Sequence, residues 1–202
     1  ISKSVICLVF FFELLTILLL NKTKINMTNQ LIDTTVTWLK HKGDVKNNDI
    51  PVDKNIEIIK SNNISSEEYK RIYMQVGKKY NWIGRLKITE QELKKIIHSK
   101  SVEIYLMKKN KITIGFLELD YRSSNDIKIV HLGLIESFIG KGYGKKLLKF
   151  AVKRANELRI QPLILQTNSL DHPNALLFYQ KNGFQVYSRR NAKVIMDNIY
   201  EK

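Results

Sequence analysis

The stretch IKIVHLGLIESFIGKGYGKKLLKFAVKRANELRIQPLILQTNSLDHPNALLFYQKNGF, running from Ile127 to Phe184, changes its hydrophobic period as it goes. Ile127 to Ile135 has the two-residue period of a strand, and from Tyr143 onward the apolar residues Tyr143, Leu147, Ala151, Ala155 and Leu158 recur at helical spacing. Lys145, Lys146, Lys149, Lys153 and Arg154 fill the other faces of that helix, and Pro162 ends it. Leu163 to Thr167 reads as a buried strand. His172-Pro173 opens a second helix, carrying Ala175, Leu176, Phe178 and Tyr179 and stopping at Asn182-Gly183. Strand, glycine-rich turn, basic helix, strand and Tyr-bearing helix in this order predict an α/β domain.

The turn itself, Ile139-Gly140-Lys141-Gly142-Tyr143-Gly144-Lys145-Lys146, lies where a helix begins. Unpaired backbone N–H groups and the positive end of the helix dipole converge there, which suits a phosphate. Glycines let the backbone approach an oxyanion closely, and Lys141 and Lys145 add charge. A dinucleotide fingerprint would need a further glycine where Leu147 stands, and a P-loop would need Ser or Thr where Lys146 stands, so neither motif is present. Taken alone, the run is also compatible with a purely structural turn.

Upstream, Val102 to Met107, Ile112 to Tyr121 and Ile127 to Ile135 form a three-strand meander, with polar turns at Lys108 to Lys111 and Arg122 to Asp126. Ser65-Ser66-Glu67-Glu68 and Thr89-Glu90-Gln91-Glu92 are helix caps; the first helix stops at Gly77. Tyr80 to Arg85 is a loop dense in aromatics. Thr34 to Leu39 and Ile56 to Ile59 are further strand candidates, separated by a break at Asn47 to Lys54, and Phe184 to Ser188 and Lys193 to Met196 read as two closing strands.

The chain has 202 residues, 44% apolar and 26% charged, enough for one sizeable core. Residues 27–202 are expected to form that single domain. The apolar run Val5 to Leu20, interrupted by Glu13, resembles a weak membrane anchor or a signal segment. Because Met27 is the first methionine, residues 1–26 are expected to be upstream read-through, and a membrane partner is expected only if they are real. The net charge of +15 favours anionic partners. The lysines are scattered, however, with no aromatic-interleaved basic run, so no specific nucleic-acid partner is expected. Cys7 is the single cysteine, which suits a reducing, cytoplasmic setting, and the four histidines show no ligand spacing that predicts a metal.

Gly142-Tyr143-Gly144 at a helix start, followed by Asn174-Ala175-Leu176-Leu177-Phe178-Tyr179-Gln180-Lys181-Asn182-Gly183-Phe184, resembles the GNAT superfamily of N-acetyltransferases. Val76-Gly77 with Trp82 and Arg85, Gly115-Phe116-Leu117-Glu118-Leu119, and Leu170-Asp171-His172-Pro173 resemble a bacterial branch of it. One departure is Ile139, which stands where the family pattern has Gln or Arg. The resemblance implies a mixed, mostly antiparallel sheet of about six or seven strands flanked by about four helices, splayed at an acyl-CoA cleft.

It further implies acetyl-CoA as co-substrate and a primary amine, on a small molecule or a peptide, as acceptor. Leu134 and Ile135 would pair through their backbones with the pantetheine arm. Ile139, Gly140, Lys141, Gly142, Tyr143, Gly144, Lys145 and Asn174 would contact the rest of the cofactor. Tyr179 matches the residue that protonates the departing thiolate in many relatives. Lys128 occupies roughly the position of a catalytic glutamate in some relatives, so the base is open: Glu118 is the first candidate, then His131 and His172, against ordinary structural roles for all three. Trp82 and Arg85 would line the acceptor pocket or serve packing and an ion pair. A homodimer is compatible with all of this. The competing readings are a non-catalytic acyl-CoA-binding sensor and a charge-driven nucleic-acid or membrane binder.

Overall fold

A computed structural model describes residues 30–41, 55–123 and 125–196. The apolar N-terminal run, Met27 and the break at Asn47 to Lys54 lie outside the described residues. By its internal contacts the chain divides into residues 1–30 and Leu31–Lys202, and the second unit holds the sheet and its covering helices.

The strands are β1 (Gln30–His41), β2 (Ile56–Lys60), β3 (Val102–Lys109), β4 (Ile112–Asp120), β5 (Ile127–Leu134), β6 (Leu163–Asn168) and β7 (Gln185–Met196), joined in one sheet of order β2-β3-β4-β5-β6-β1-β7. The helices are α1 (Ser66–Gly77), the single-turn α2 (Gly84–Lys87), α3 (Glu90–Ile97), α4 (Tyr143–Leu158) and α5 (Ala175–Lys181). The pairings β2–β3, β3–β4, β4–β5 and β1–β6 are antiparallel, while β5 and β6 run parallel. This is the mixed, mostly antiparallel sheet that the resemblance implies.

Local signals set most of the boundaries. Ser65 caps α1 by accepting from the Glu68 N–H at 3.0 Å, and Thr89 and Glu92 form a reciprocal capping box at the start of α3. Helix α4 ends before Pro162, because Arg159 takes a left-handed conformation directly after Leu158. The expected break between two closing strands is absent: Gln185 to Met196 is one strand. Its polar centre stays extended against β1, where Thr35 Oγ1 donates to Asn191 Oδ1 at 3.1 Å and Arg190 lies over the Trp38 ring.

The sheet is covered on both faces, which is why β3 and β4 are buried along most of their length. On one face Leu117, Leu119, Ile127, Ile129 and Leu165 pack against Leu147, Leu148, Ala151 and Ala155 of α4. On the other, Ile104, Leu106 and Phe116 meet Tyr69, Ile72, Tyr73 and Val76 of α1 and Leu93 and Ile97 of α3.

Candidate active site

Strand β5 carries a bulge. Glu118 of β4 faces His131 and Leu119 faces Ile129, leaving Val130 unpaired. The extra residue shifts the alternation, so that Ile127 and Ile129 before it and Leu132 and Leu134 after it all turn toward α4. His131 is thereby delivered to the α1 face, beside Tyr73 and Trp82 at ring-centroid distances of 5.0 and 5.1 Å. The parallel pairing of β5 with β6 runs only from Ile127↔Leu163 to Ile129↔Leu165, stopping at the same bulge. Beyond it the strands part, and a cleft opens between Val130 to Leu134 on one side and Gln166 and Asn168 on the other, closed by Tyr179 of α5.

Backbone groups line that opening. The Ile135 N–H is taken by Ile114 O at 2.8 Å, so by antiparallel alternation Leu134 and Leu132 direct their N–H and C=O groups away from β4, into the gap. The expected pairing through Leu134 is therefore geometrically open, whereas the N–H of Ile135 is already occupied. At the foot of the gap, Gly140 and Gly142 have φ of +80° and +81°. A Cβ at either would meet nothing within 4 Å, so the space over the start of α4 is open. No side chain caps that helix, and its first N–H groups face this space.

Of the flanking residues, Ile139 lines the cleft with its apolar side chain. Lys145 is exposed, and Lys141 folds back to donate to Ser137 O at 2.8 Å. Tyr143 belongs to the core by its ring, with its hydroxyl accepting from Lys109 Nζ at 2.7 Å, so only its backbone faces the turn. Gly144 packs near Phe178 and Leu134, and Asn174 is exposed at the start of α5.

Glu118 and Arg85 do not line the cleft. Glu118 is fully buried one layer behind it, accepting from Arg85 Nη2 at 2.7 Å, Tyr69 Oη at 2.5 Å and His131 Nδ1 at 2.9 Å. Burial alone would raise its proton affinity, yet Arg85 and His131, together with these hydrogen bonds, hold the carboxyl well below the usual range. A carboxylate so stabilised and shielded is poorly suited to deprotonate an acceptor directly, which corrects the expectation placed on Glu118. The same network takes up Arg85, whose guanidinium is buried against Glu118 rather than presented to an acceptor. Trp82 does line the cleft, held over Gly77 so closely that a Cβ there would fall 2.4 Å from it.

An ionised carboxylate only accepts, so the proton between Glu118 and His131 belongs to Nδ1, and Nε2 is the imidazole nitrogen left for the cleft. Tyr179 lines the same cleft, and its hydroxyl finds no hydrogen-bond partner among the described residues. Burial, and after it the negative charge of Asp171, push the phenol above its ordinary value, so it is a protonated donor at neutral pH. Asp171 also lines the cleft, accepting from Trp82 Nε1 at 3.2 Å, Thr167 Oγ1 at 2.8 Å and the Asn168 N–H at 3.0 Å. In the sequence, His131 is only the second candidate for the base, and Asp171 carries no sign of a role of its own. The displaced apolar spacing Ile127, Ile129, Leu132, Leu134 was the available sign of the bulge that presents His131.

The cleft is thus a parted parallel strand pair above an open helix start, lined by a protonated phenol and an imidazole held by a buried carboxylate. A family model described as an acetyltransferase (GNAT) domain matches residues 80–196, and the chain belongs to that family. It is accordingly an acyltransferase that transfers acetyl groups. No curated protein matches it.

Solved structures share the fold. A conserved protein from Staphylococcus epidermidis, described as functionally unknown, is 15% identical, with a TM-score of 0.61 over 87% of this chain and 69% of that one. A GNAT family acetyltransferase from Elizabethkingia anophelis with acetyl-CoA bound is 22% identical (TM-score 0.51; 66% and 78% covered). An IAA acetyltransferase from Bacillus cereus is 24% identical (TM-score 0.51; 66% and 79% covered).

Proposed function

We propose that the chain transfers the acetyl group of acetyl-CoA to a primary amine by direct attack in a ternary complex. The observation that carries this reading is the parting of β5 from β6 immediately after Ile129↔Leu165, above a helix start kept open by Gly140 and Gly142. An extended pantetheine arm can add to the free edge of Leu132 and Leu134 as a strand would, and pyrophosphate oxygens can meet the N–H groups of α4, with Lys145 adding charge. Ile139 offers this arm an apolar wall and leaves the phosphates to the backbone. That the Elizabethkingia relative holds acetyl-CoA agrees with the choice of donor.

Chemistry then falls to two side chains that line the cleft. His131 Nε2, its imidazole oriented by Glu118 as a positioning residue, takes the proton from the attacking amine directly or through water. The amine nitrogen forms a bond to the thioester carbonyl carbon as the carbon–sulfur bond breaks. Negative charge developing on the carbonyl oxygen is met by a backbone N–H of Leu132 or Leu134. Tyr179 gives its proton to the departing thiolate and takes one back from solvent, and the proton that His131 collects leaves to solvent, so the balance is amide plus free thiol with both side chains restored.

The test is a thermal-shift titration with acetyl-CoA, followed by thiol release across a panel of amines. Stabilisation by micromolar acetyl-CoA together with amine-dependent release is the expected outcome. Stabilisation without release for any amine would favour a non-catalytic acyl-CoA-binding role.

A further inference from the structure

The chain carries a net charge of +15, yet none of the described residues that line the cleft is Lys or Arg. Asp171 supplies the carboxylate there, and it has no cationic partner among the described residues. Its Oδ2 takes two neutral donors, from Thr167 and Asn168, whereas its Oδ1 takes only the indole N–H of Trp82. Oδ1 therefore keeps an accepting lone pair, and its negative charge is met only by neutral dipoles. The walls around it are the rings of Tyr80, Trp82, His172 and Tyr179. The Tyr80 and His172 rings lie 6.3 Å apart. A partly buried carboxylate without a counter-ion, in a cleft lined by aromatic rings, is the chemistry that recognises an ammonium group.

Resting on the acetyl-transfer reading above, we infer that the acceptor is a small amine bearing a second positive charge, which Asp171 binds while the first amine is acetylated. The opposite arrangement, an acceptor with a carboxylate or phosphate next to its amine, would place like charge against Asp171 and is selected against. Asp171 thus sets specificity through its charge.

The test compares a terminal diamine, the monoamine of the same chain length and the amino acid carrying a carboxylate in place of the second amine, with the full chain and saturating acetyl-CoA. The expected result is a kcat/KM for the diamine about tenfold above that for the monoamine, the scale of one charge-assisted hydrogen bond, with the amino acid poorest. Asp171→Asn should bring the ratio of diamine to monoamine to about one, the charge-assisted advantage being gone. Trp82→Phe, which removes a donor but keeps the carboxylate, should retain the preference, and it keeps the inference testable if Asp171→Asn does not fold.

Equal use of the three acceptors by the wild type would overturn the inference, as would Asp171→Asn lowering all three in proportion, which a merely structural carboxylate predicts. Failure of the underlying reading looks different: acetyl-CoA would leave the melting temperature unchanged, or no acceptor would release thiol.

Discussion

Glu118 has two oxygens to divide among three donors, and the division fixes what each partner can do. Arg85 holds one oxygen, and Tyr69 and His131 share the other. Replacing the carboxylate by an amide puts an N–H against at least one donor. Glu118→Gln should therefore lower kcat about tenfold or more and alter the pH–rate profile, while leaving acetyl-CoA affinity within about twofold, because the imidazole is no longer oriented. Glu118→Ala leaves the Arg85 guanidinium buried without its anion and should cost on the order of 3 kcal/mol, read as a lowered denaturation midpoint. For the acid, Tyr179→Phe should reduce kcat about a hundredfold with little change in acetyl-CoA affinity. Unchanged turnover in Tyr179→Phe across pH would remove the phenol from the mechanism.

At the level of elements, the cleft depends on where β5 leaves its neighbours. Gly133 and Gly115 meet there without side chains: a Cβ on Gly133 would lie 2.2 Å from Val76 Cγ1, and one on Gly115 would lie 2.4 Å from the Gly133 carbonyl oxygen. Gly133→Ala must push β5 away from α1, so it should destabilise the fold by about 1–3 kcal/mol and weaken acetyl-CoA binding, since Leu132 and Leu134 move with the strand. Calorimetric melting with and without acetyl-CoA reads both effects.

The same elements show what a one-dimensional reading can reach. Caps at Ser65 and Thr89, the apolar face of α4 and the meander are local patterns, and the sequence displays them directly. Insertion of β1 between β6 and β7 joins segments far apart in the chain, and nothing local encodes that order. The placement of Glu118 follows from the same limit: its alternation marks a strand carboxylate, but only the β4–β5 register shows that Arg85 and His131 enclose it. The open conformation of the glycine turn is legible because it rests on backbone freedom, whereas the hydrogen bonds that Asp171 accepts appear only when Trp82 and the end of β6 meet around it.

For the whole molecule, a second buried carboxylate ties the sheet to α4. Glu103 is 1% exposed and accepts from Arg154 Nε and Nη2, both at 2.8 Å, Lys60 Nζ at 2.7 Å and Tyr105 Oη at 2.8 Å. Burial works to raise its pKa, but the hydrogen bonds from Arg154, Lys60 and Tyr105 bring it from 4.5 down to about 2. A depressed folded-state value means that the unfolded chain binds the proton more readily. The stabilisation is therefore complete above about pH 4.5 and is lost as pH falls toward about 2, by roughly 3 kcal/mol in all. Denaturant melts across that range should show the loss, and Arg154→Met should both lower stability at neutral pH and flatten the acid dependence.

The central proposal is acetyl transfer from acetyl-CoA to an amine, with Tyr179 and His131 in one cleft beside the open glycine turn. Incubating the full chain with acetyl-CoA and a series of primary amines, and following acetylated product and free CoA together by mass spectrometry, tests that claim most directly. Equal amounts of acetylated amine and free CoA are expected, both dependent on the protein and both sharply reduced in Tyr179→Phe. Acetyl-CoA left intact with every amine, or consumed by hydrolysis with no acetylated amine formed, would contradict it.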